Sequence, residues 1–375
     1  MRLTGAKVFD VQEGFVFRDV CIEGELLADH SSDGKSADLS GCYLIPGLTD
    51  VHFHGAKGHD FSDADAEGLQ VMADYELSRG VTQICPAGMT LLEEQLLKVC
   101  KNAAQHRKNS KSGALLYGVN LEGPFLSRAK KGAQNGDWLH APDVAMLRRL
   151  EEASEGLVKL VSVAPEEPGA LEFIQEVADE VTVSIAHTTA DYDTAMAAYA
   201  AGARQATHLF NAMPPFTHRA PGVVGAAFDT PECMAELICD GVHIHASVVR
   251  AVFQLFGAKR VILVSDTMRA AGMPDGDYTL GGQPVRVKGK YATLEDGTLA
   301  GSVTDLMNCM RTAVSFGIPL EDAVRAAAVN PAKAIGIYSR VGSVENGKLA
   351  NLAVLDENLD LKAVLLKGEV VHGTV

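Results

Sequence analysis

A chain of 375 residues, 47% hydrophobic and 22% charged, is long enough for one large α/β domain with a small companion, and its composition excludes a disordered or fibrous protein. A formal charge of −15 argues against nucleic acid or an anionic membrane as a partner, so an anionic ligand would need a local cationic pocket. No long uncharged apolar run suggests a membrane span, the first residues lack a signal-peptide core, and seven cysteines without a Cys-x-x-Cys pair read as reduced thiols of a cytoplasmic protein.

In chain order, Ala6–Asp10, Phe15–Phe17 and Asp19–Ile22 read as short strands, followed by a polar loop from Asp29 to Asp38. The C-terminal end returns to this style at Leu352–Leu355 and Leu361–Leu366. Residues 1–45 and 340–375 are each too small to bury a core, and together they predict one small β-sandwich domain. Between them, in 46–339, strand-like runs at 48–54, 81–87, 114–122, 158–164, 181–187, 203–208, 236–240 and 260–266 alternate with helical segments. Among these, Pro142–Ser154 has apolar residues at helical spacing, and Asp191–Ala201 ends at a capping Gly202. Eight such units predict a (β/α)8 TIM-type barrel, with an open doubly wound sheet as the alternative.

Metal-capable side chains favour the barrel. His52 and His54 close the first run, Glu122 the third, His187 the fifth, His208 the sixth and Asp266 the eighth. In a barrel these ends meet at one mouth; in an open sheet they spread along an edge. Singly, each has a plainer use: a structural histidine, a helix N-cap at Asp266, a loop carboxylate at Glu122. Five of eight strand ends so furnished is not an accident of composition. Imidazoles and carboxylates without thiolates suit Zn, Fe, Mn or Co. Six ligands exceed one four-coordinate site with an open position, so the set predicts two divalent metals bridged by Glu122, with a single occupied site as the alternative.

All of these but His187 lie in the segments Pro46-Gly47-Leu48-Thr49-Asp50-Val51-His52-Phe53-His54-Gly55, Leu121-Glu122-Gly123-Pro124-Phe125, Ala206-Thr207-His208-Leu209-Phe210-Asn211-Ala212-Met213-Pro214 and Val264-Ser265-Asp266-Thr267, which Asp240-Gly241-Val242-His243 and Leu299-Ala300-Gly301-Ser302 accompany. On these segments, nearly end to end, the chain resembles the amidohydrolase superfamily and, within it, the N-acetylglucosamine-6-phosphate deacetylase family. The resemblance implies a metal site at Glu122, His187 and His208, a second at His52 and His54, and Asp266 as a metal-side acid/base carboxylate. It implies sugar contact by His243, phosphate contact by Asn211 and Ala212, substrate contact by Ala300, and a homodimer in which Arg219 reaches the neighbouring site, with His218 assisting. Gln134 stands where many relatives have a histidine that touches the acyl oxygen, and Asn351 where superfamily members often have aspartate.

The implied reaction is metal-dependent hydrolysis of the N-acetyl group of N-acetylglucosamine 6-phosphate, giving glucosamine 6-phosphate and acetate, with the galactosamine epimer or another N-acyl amino-sugar phosphate as the nearest rival. A metal lowers the pKa of water and polarises the amide carbonyl, and Asp266 would take the water's proton and return it to the leaving amine. Gly-x-Ser-x-Gly is absent, so a serine nucleophile has no support. A cyclic-amide hydrolase, a nucleobase deaminase and a non-catalytic scaffold are the wider alternatives. Arg219 and Glu-Gly-Pro-Phe argue against the first two, and the intact ligand set against the third.

Overall fold

The computed structural model describes residues 1–375. Eight parallel strands form its centre: β1 (Leu48–Asp50), β2 (Val81–Ile84), β3 (Val119–Leu121), β4 (Val158–Val163), β5 (Thr182–Ile185), β6 (Gln205–Ala206), β7 (Met234–Ile238) and β8 (Val261–Val264). Each is followed by a helix: α1 (Ala66–Ser78), α2 (Glu93–Asn109), α3 (Val144–Ser154), α4 (Ala170–Val177), α5 (Tyr192–Ala201), α6 (Gly222–Asp229), α7 (Ala246–Phe256) and α8 (Leu306–Ser315).

Pairing runs in sequence order. Thr49 sits against Gln83 and Asp50 against Ile84. Leu115–Leu116 and Ala87–Gly88 join β2 to β3, and β3 to β8 continue strand by strand. Backbone bonds close the ring: Asp266 N donates to His52 O at 2.9 Å and His54 N to Thr267 O at 2.7 Å. The wall is a barrel and not an open sheet. The strands are nearly continuous apolar runs because both faces are buried, one in the barrel interior and the other under the helices.

Several elements are shorter than the runs that predict them. β1 stops at Asp50, and His52 and His54 follow it outside any strand. The third run breaks between Leu116 and Val119. There a Cβ on Gly118 would stand 2.5 Å from Lys159 and 2.8 Å from Cys85 Sγ. The Pro142–Ser154 helix begins at Val144, where Asp143 caps it by accepting from Met146 N at 3.0 Å. Asp191 caps α5 in the same way, and Gly202 ends it.

The termini supply two further sheets. One has four strands (Leu26–Ala28, Val20–Glu23, Arg2–Thr4, Ser36–Asp38), so the predicted polar loop carries a strand at its end. The other has six: Glu369–Gly373, Leu361–Leu366, Leu352–Leu355, Tyr43–Pro46, Lys7–Asp10 and Gly14–Phe17. Their apolar faces share a core built around Leu3, Val8, Ile22, Leu44, Leu352 and Leu365. Between β8 and α8 the chain makes an antiparallel sheet of Gly276–Leu280, Gln283–Lys288 and Tyr291–Thr293, which the sequence reading did not anticipate. All seven cysteines are unpaired, and no helix is long and apolar enough to cross a membrane.

Candidate active site

The strands deliver the candidate ligands by a common device. His52 lies two residues past β1, His187 two past β5, His208 two past β6 and Asp266 two past β8, while Glu122 directly follows β3. His187, His208 and Asp266 adopt left-handed backbone, with φ of 43°, 28° and 48°. Histidine and aspartate are among the non-glycine residues found in this region more often than most. Three such turns at one mouth mark a site where packing imposes the conformation, at about 1–3 kcal/mol each.

Six side chains converge there, all buried. Glu122 Oε1 is 3.1 Å from His187 Nε2, 3.0 Å from His208 Nε2 and 3.4 Å from His52 Nε2. Its Oε2 is 3.3 Å from His54 Nε2, which is also 3.3 Å from Asp266 Oδ1. Two groups result, Glu122–His187–His208 and His52–His54–Asp266. The Glu122 carboxylate faces both.

The outer ring nitrogens settle the tautomers. His54 Nδ1 meets Ala87 O at 3.0 Å, and His187 Nδ1 meets Lys130 O at 2.8 Å. A carbonyl only accepts, so in each neutral ring Nδ1 carries the hydrogen and Nε2 the lone pair. His52 Nδ1 faces Glu236 Oε2 at 2.9 Å in the same manner. His208 Nε2 and His187 Nε2 stand 3.1 Å apart, a close approach of like atoms that a shared cation reconciles. His52 Nε2 and His208 Nδ1 are buried without a hydrogen-bond partner. Inward lone pairs, a carboxylate between them and an orphaned Nε2 form a donor set that fits divalent metal.

The charges agree. Burial alone would raise Glu122, but the charge on His52 and the close approach of His187 and His208 hold it well below the usual carboxylate range. Burial would likewise raise Asp266, and the His54 hydrogen bond and the charges of His52 and His54 keep it low. His54, against its own burial, is pushed to about 10 by Asp266 and Glu122. Carboxylates that draw a proton onto His54 this strongly draw cations for the same reason.

The mouth opens into a cavity of about 550 Å³ lined by His54, Glu122, Gln134, His187, His208, Asn211, Ala212, His243 and Asp266 among others. His52 lies beneath it, fully buried. Ala300 is buried behind the wall, which its neighbours Leu299 and Gly301 line. Arg219 and His218 stand outside; both are exposed, and Arg219 Nη1 rests 2.7 Å from His218 Nε2. Gln134 is engaged at both ends. Its Oε1 accepts from Thr90 N at 2.7 Å, which orients the amide so that Nε2 donates to Glu122 Oε2 at 2.6 Å. Asp240 accepts from the backbone N–H of Val242 and His243 and pairs with His243 Nδ1 at 2.8 Å, fixing that ring.

Sequence reading did not single out Glu236. Besides His52, it accepts from Gln205 Nε2 at 2.5 Å and His208 N at 3.2 Å, tying two ligand-bearing strand ends together. Its only signal was a carboxylate inside the apolar run at 236–240. Nor did sequence reading single out Lys130, whose carbonyl orients His187 and whose ammonium reaches Met213 O at 3.3 Å beside Asn211 and Ala212. His245 and His59 serve local structure: His245 caps α7, and His59 stands 3.4 Å from Asp65.

A closed (β/α)8 barrel with this constellation at its mouth is of the metal-dependent hydrolase class. The chain belongs to the amidohydrolase family, whose model matches residues 43–372, and that family is metal-dependent. It is 37% identical to the N-acetylglucosamine-6-phosphate deacetylase of Bacillus subtilis (strain 168), over 87% of this chain and 84% of that protein. Identity to the N-acetylgalactosamine-6-phosphate deacetylase of Escherichia coli O157:H7 is 32%, over 87% of each. Among solved structures, an aspartate-to-alanine mutant of N-acetyl-D-glucosamine-6-phosphate deacetylase from Mycobacterium smegmatis, in complex with N-acetyl-D-glucosamine-6-phosphate, matches with a TM-score of 0.92 at 34% identity, over 99% of both chains.

Proposed function

We propose that the protein hydrolyses the N-acetyl group of N-acetylglucosamine 6-phosphate to glucosamine 6-phosphate and acetate. The observation that carries this reading is Asp266, a carboxylate within one of two candidate metal groups that Glu122 faces, in a mouth that also presents His243, Asn211 and Ala212. Glu122, His187 and His208 hold one divalent ion and His52, His54 and Asp266 a second, of the Zn, Fe, Mn or Co kind. When bound, such an ion acidifies water and polarises the acetyl carbonyl.

The chain's own residues do the rest. Asp266, ionised at neutral pH, takes a proton from the attacking water as its oxygen bonds to the acetyl carbon. The C–N bond then breaks as Asp266 returns the proton to the amine nitrogen, and acetate leaves with the new oxygen. Gln134 keeps the Glu122 carboxylate aimed between the two histidine sets. His243, steadied by Asp240, contacts the sugar, and Asn211 and Ala212 receive the phosphate. Arg219 is too exposed to serve its own cavity, which supports a homodimer in which it completes the partner's site with a bidentate grip on phosphate.

The same reading places the protein in the cytoplasm, where seven unpaired cysteines stay reduced. It divides the chain into a small β domain (1–45 with 340–375) and a barrel (46–339), supported by the separate terminal core.

The experiment is steady-state hydrolysis of N-acetylglucosamine 6-phosphate beside N-acetylgalactosamine 6-phosphate and unphosphorylated N-acetylglucosamine, with metal content measured on the same sample. Preference for the first, lost on chelation and restored by a divalent metal, is the expected result. Preference for the galacto epimer would keep the chemistry and change the substrate. Indifference to the phosphate would sink the proposed phosphate pocket.

A further inference from the structure

At the foot of the barrel, opposite the mouth, a cavity of about 290 Å³ lies between the α2–β3 connection and the C-terminal strands. Its wall carries four cations, Arg107, Lys111, Arg340 and Lys367, against one carboxylate, Glu25. In a chain of net charge −15 that concentration of one sign runs against the background. Lys367 stands 3.6 Å from Glu25, whereas Arg107, Lys111 and Arg340 have no carboxylate within 4.0 Å.

A second observation points to a ligand. Tyr117 lines the cavity and is only 6% exposed, yet its hydroxyl makes no hydrogen bond within the protein and is not among the atoms sealed from solvent. The Arg107 guanidinium carbon lies 4.7 Å from the centroid of its ring. Burial raises the Tyr117 hydroxyl while the charges of Arg340 and Arg107 pull it back, so both guanidiniums act on the same spot. Beside this polar corner the wall turns apolar at Leu115 and Leu349.

We propose that this cavity binds a small organic phosphomonoester, its phosphate held by Arg340 and Lys111 beside the Tyr117 hydroxyl and its organic part laid against Leu115 and Leu349. A phosphate dianion fits better than a monocarboxylate, because two charges attract the exposed Arg340 and Lys111 more strongly than one and three acceptor oxygens reach more donors. The volume is near the lower end of small-molecule sites and excludes a polymer. Lys111 and Tyr117 belong to the barrel, while Arg340 and Lys367 come from the C-terminal segment, so a bound phosphoester ties the two together.

The test is calorimetric titration of the metal-loaded, full-length protein with glucose 6-phosphate, in wild type, in a Lys111→Glu/Arg340→Glu double variant and in Tyr117→Phe. Wild type is expected to show a binding class beyond the active site. The double variant is expected to lose that class by at least tenfold in affinity while keeping kcat and KM for N-acetylglucosamine 6-phosphate. Tyr117→Phe, which preserves the packing, is expected to weaken it several-fold. One binding class in wild type, or the same two in all three proteins, would overturn the site. Inorganic phosphate bound as tightly as glucose 6-phosphate would overturn the ester assignment. Turnover tests the active-site reading and the second binding class tests this one, so the two fail separately.

Discussion

His52 Nδ1 and Glu236 Oε2, 2.9 Å apart, show how a residue outside the cavity orients a candidate metal ligand. Glu236 orients His52 and braces the backbone of His208, and losing its charge would loosen a ligand from each metal group. Glu236→Gln is expected to weaken metal binding by about 10–100-fold, read by competition with a chromogenic chelator, with the fold unchanged. An unchanged metal affinity would show that the carboxylate is only packed there. The Asp240–His243 pair makes a pH prediction. Burial alone would lower His243, but the Asp240 hydrogen bond and charge outweigh it and raise it above the ordinary histidine value. A raised folded-state pKa means the ion pair is complete below about 6.5 and is lost as pH climbs through the raised value. KM for the phosphorylated substrate is therefore expected to rise on the alkaline side. In Asp240→Asn the rise is expected to begin at lower pH, and coincident profiles would remove His243's charge from recognition.

Element ends decide where these side chains point. Each strand supplies an apolar run, and the chain turns one or two residues later, so that the ligand faces the barrel axis and not the helical shell. Helix caps do the corresponding work on the outside. Asp143 Oδ1 accepts from Met146 N at 3.0 Å, and α3 buries Met146, Leu147 and Leu150 against the barrel. Asp143→Ala is expected to cost about 1 kcal/mol in urea denaturation, with kcat unaffected because Asp143 does not line the cavity. A loss in kcat comparable to that of an active-site variant would contradict the separation of cap and site.

At the level of the whole molecule, the proposed dimer has a direct test. Asp266→Asn is expected to lose about 10²–10⁴-fold in kcat for want of a proton carrier. Arg219→Ala is expected chiefly to raise KM. If Arg219 serves the neighbouring site, mixing the two variants after dissociation makes heterodimers with one complete site: Asp266 from one protomer, Arg219 from the other. Activity of the mixture above the sum of its parts is the expected outcome, and strict additivity would place Arg219 in its own site or in none.

Much of this architecture was legible before any coordinates, because it is written in periodicity and residue type. Eight apolar runs alternating with helical segments predicted the barrel, and the ligand-bearing ends of five of them singled out the mouth. Short-range chemistry was equally readable at Asp191 and Gly202, which bound α5 as their types suggest. The sheet at 276–293 was missed although its strands alternate inward and outward, since such short hairpins carry little signal beside the long barrel runs. Only the tertiary structure decided the rest. It closed the barrel through Asp266 N and His52 O, paired Glu236 with His52 across 184 positions, turned the Gln134 amide toward Glu122 and left Arg219 outside its own cavity. The physical reason is common to all four. A residue's type sets what it can bond to, but its partner is chosen by where distant strand ends meet, and no local pattern encodes that meeting.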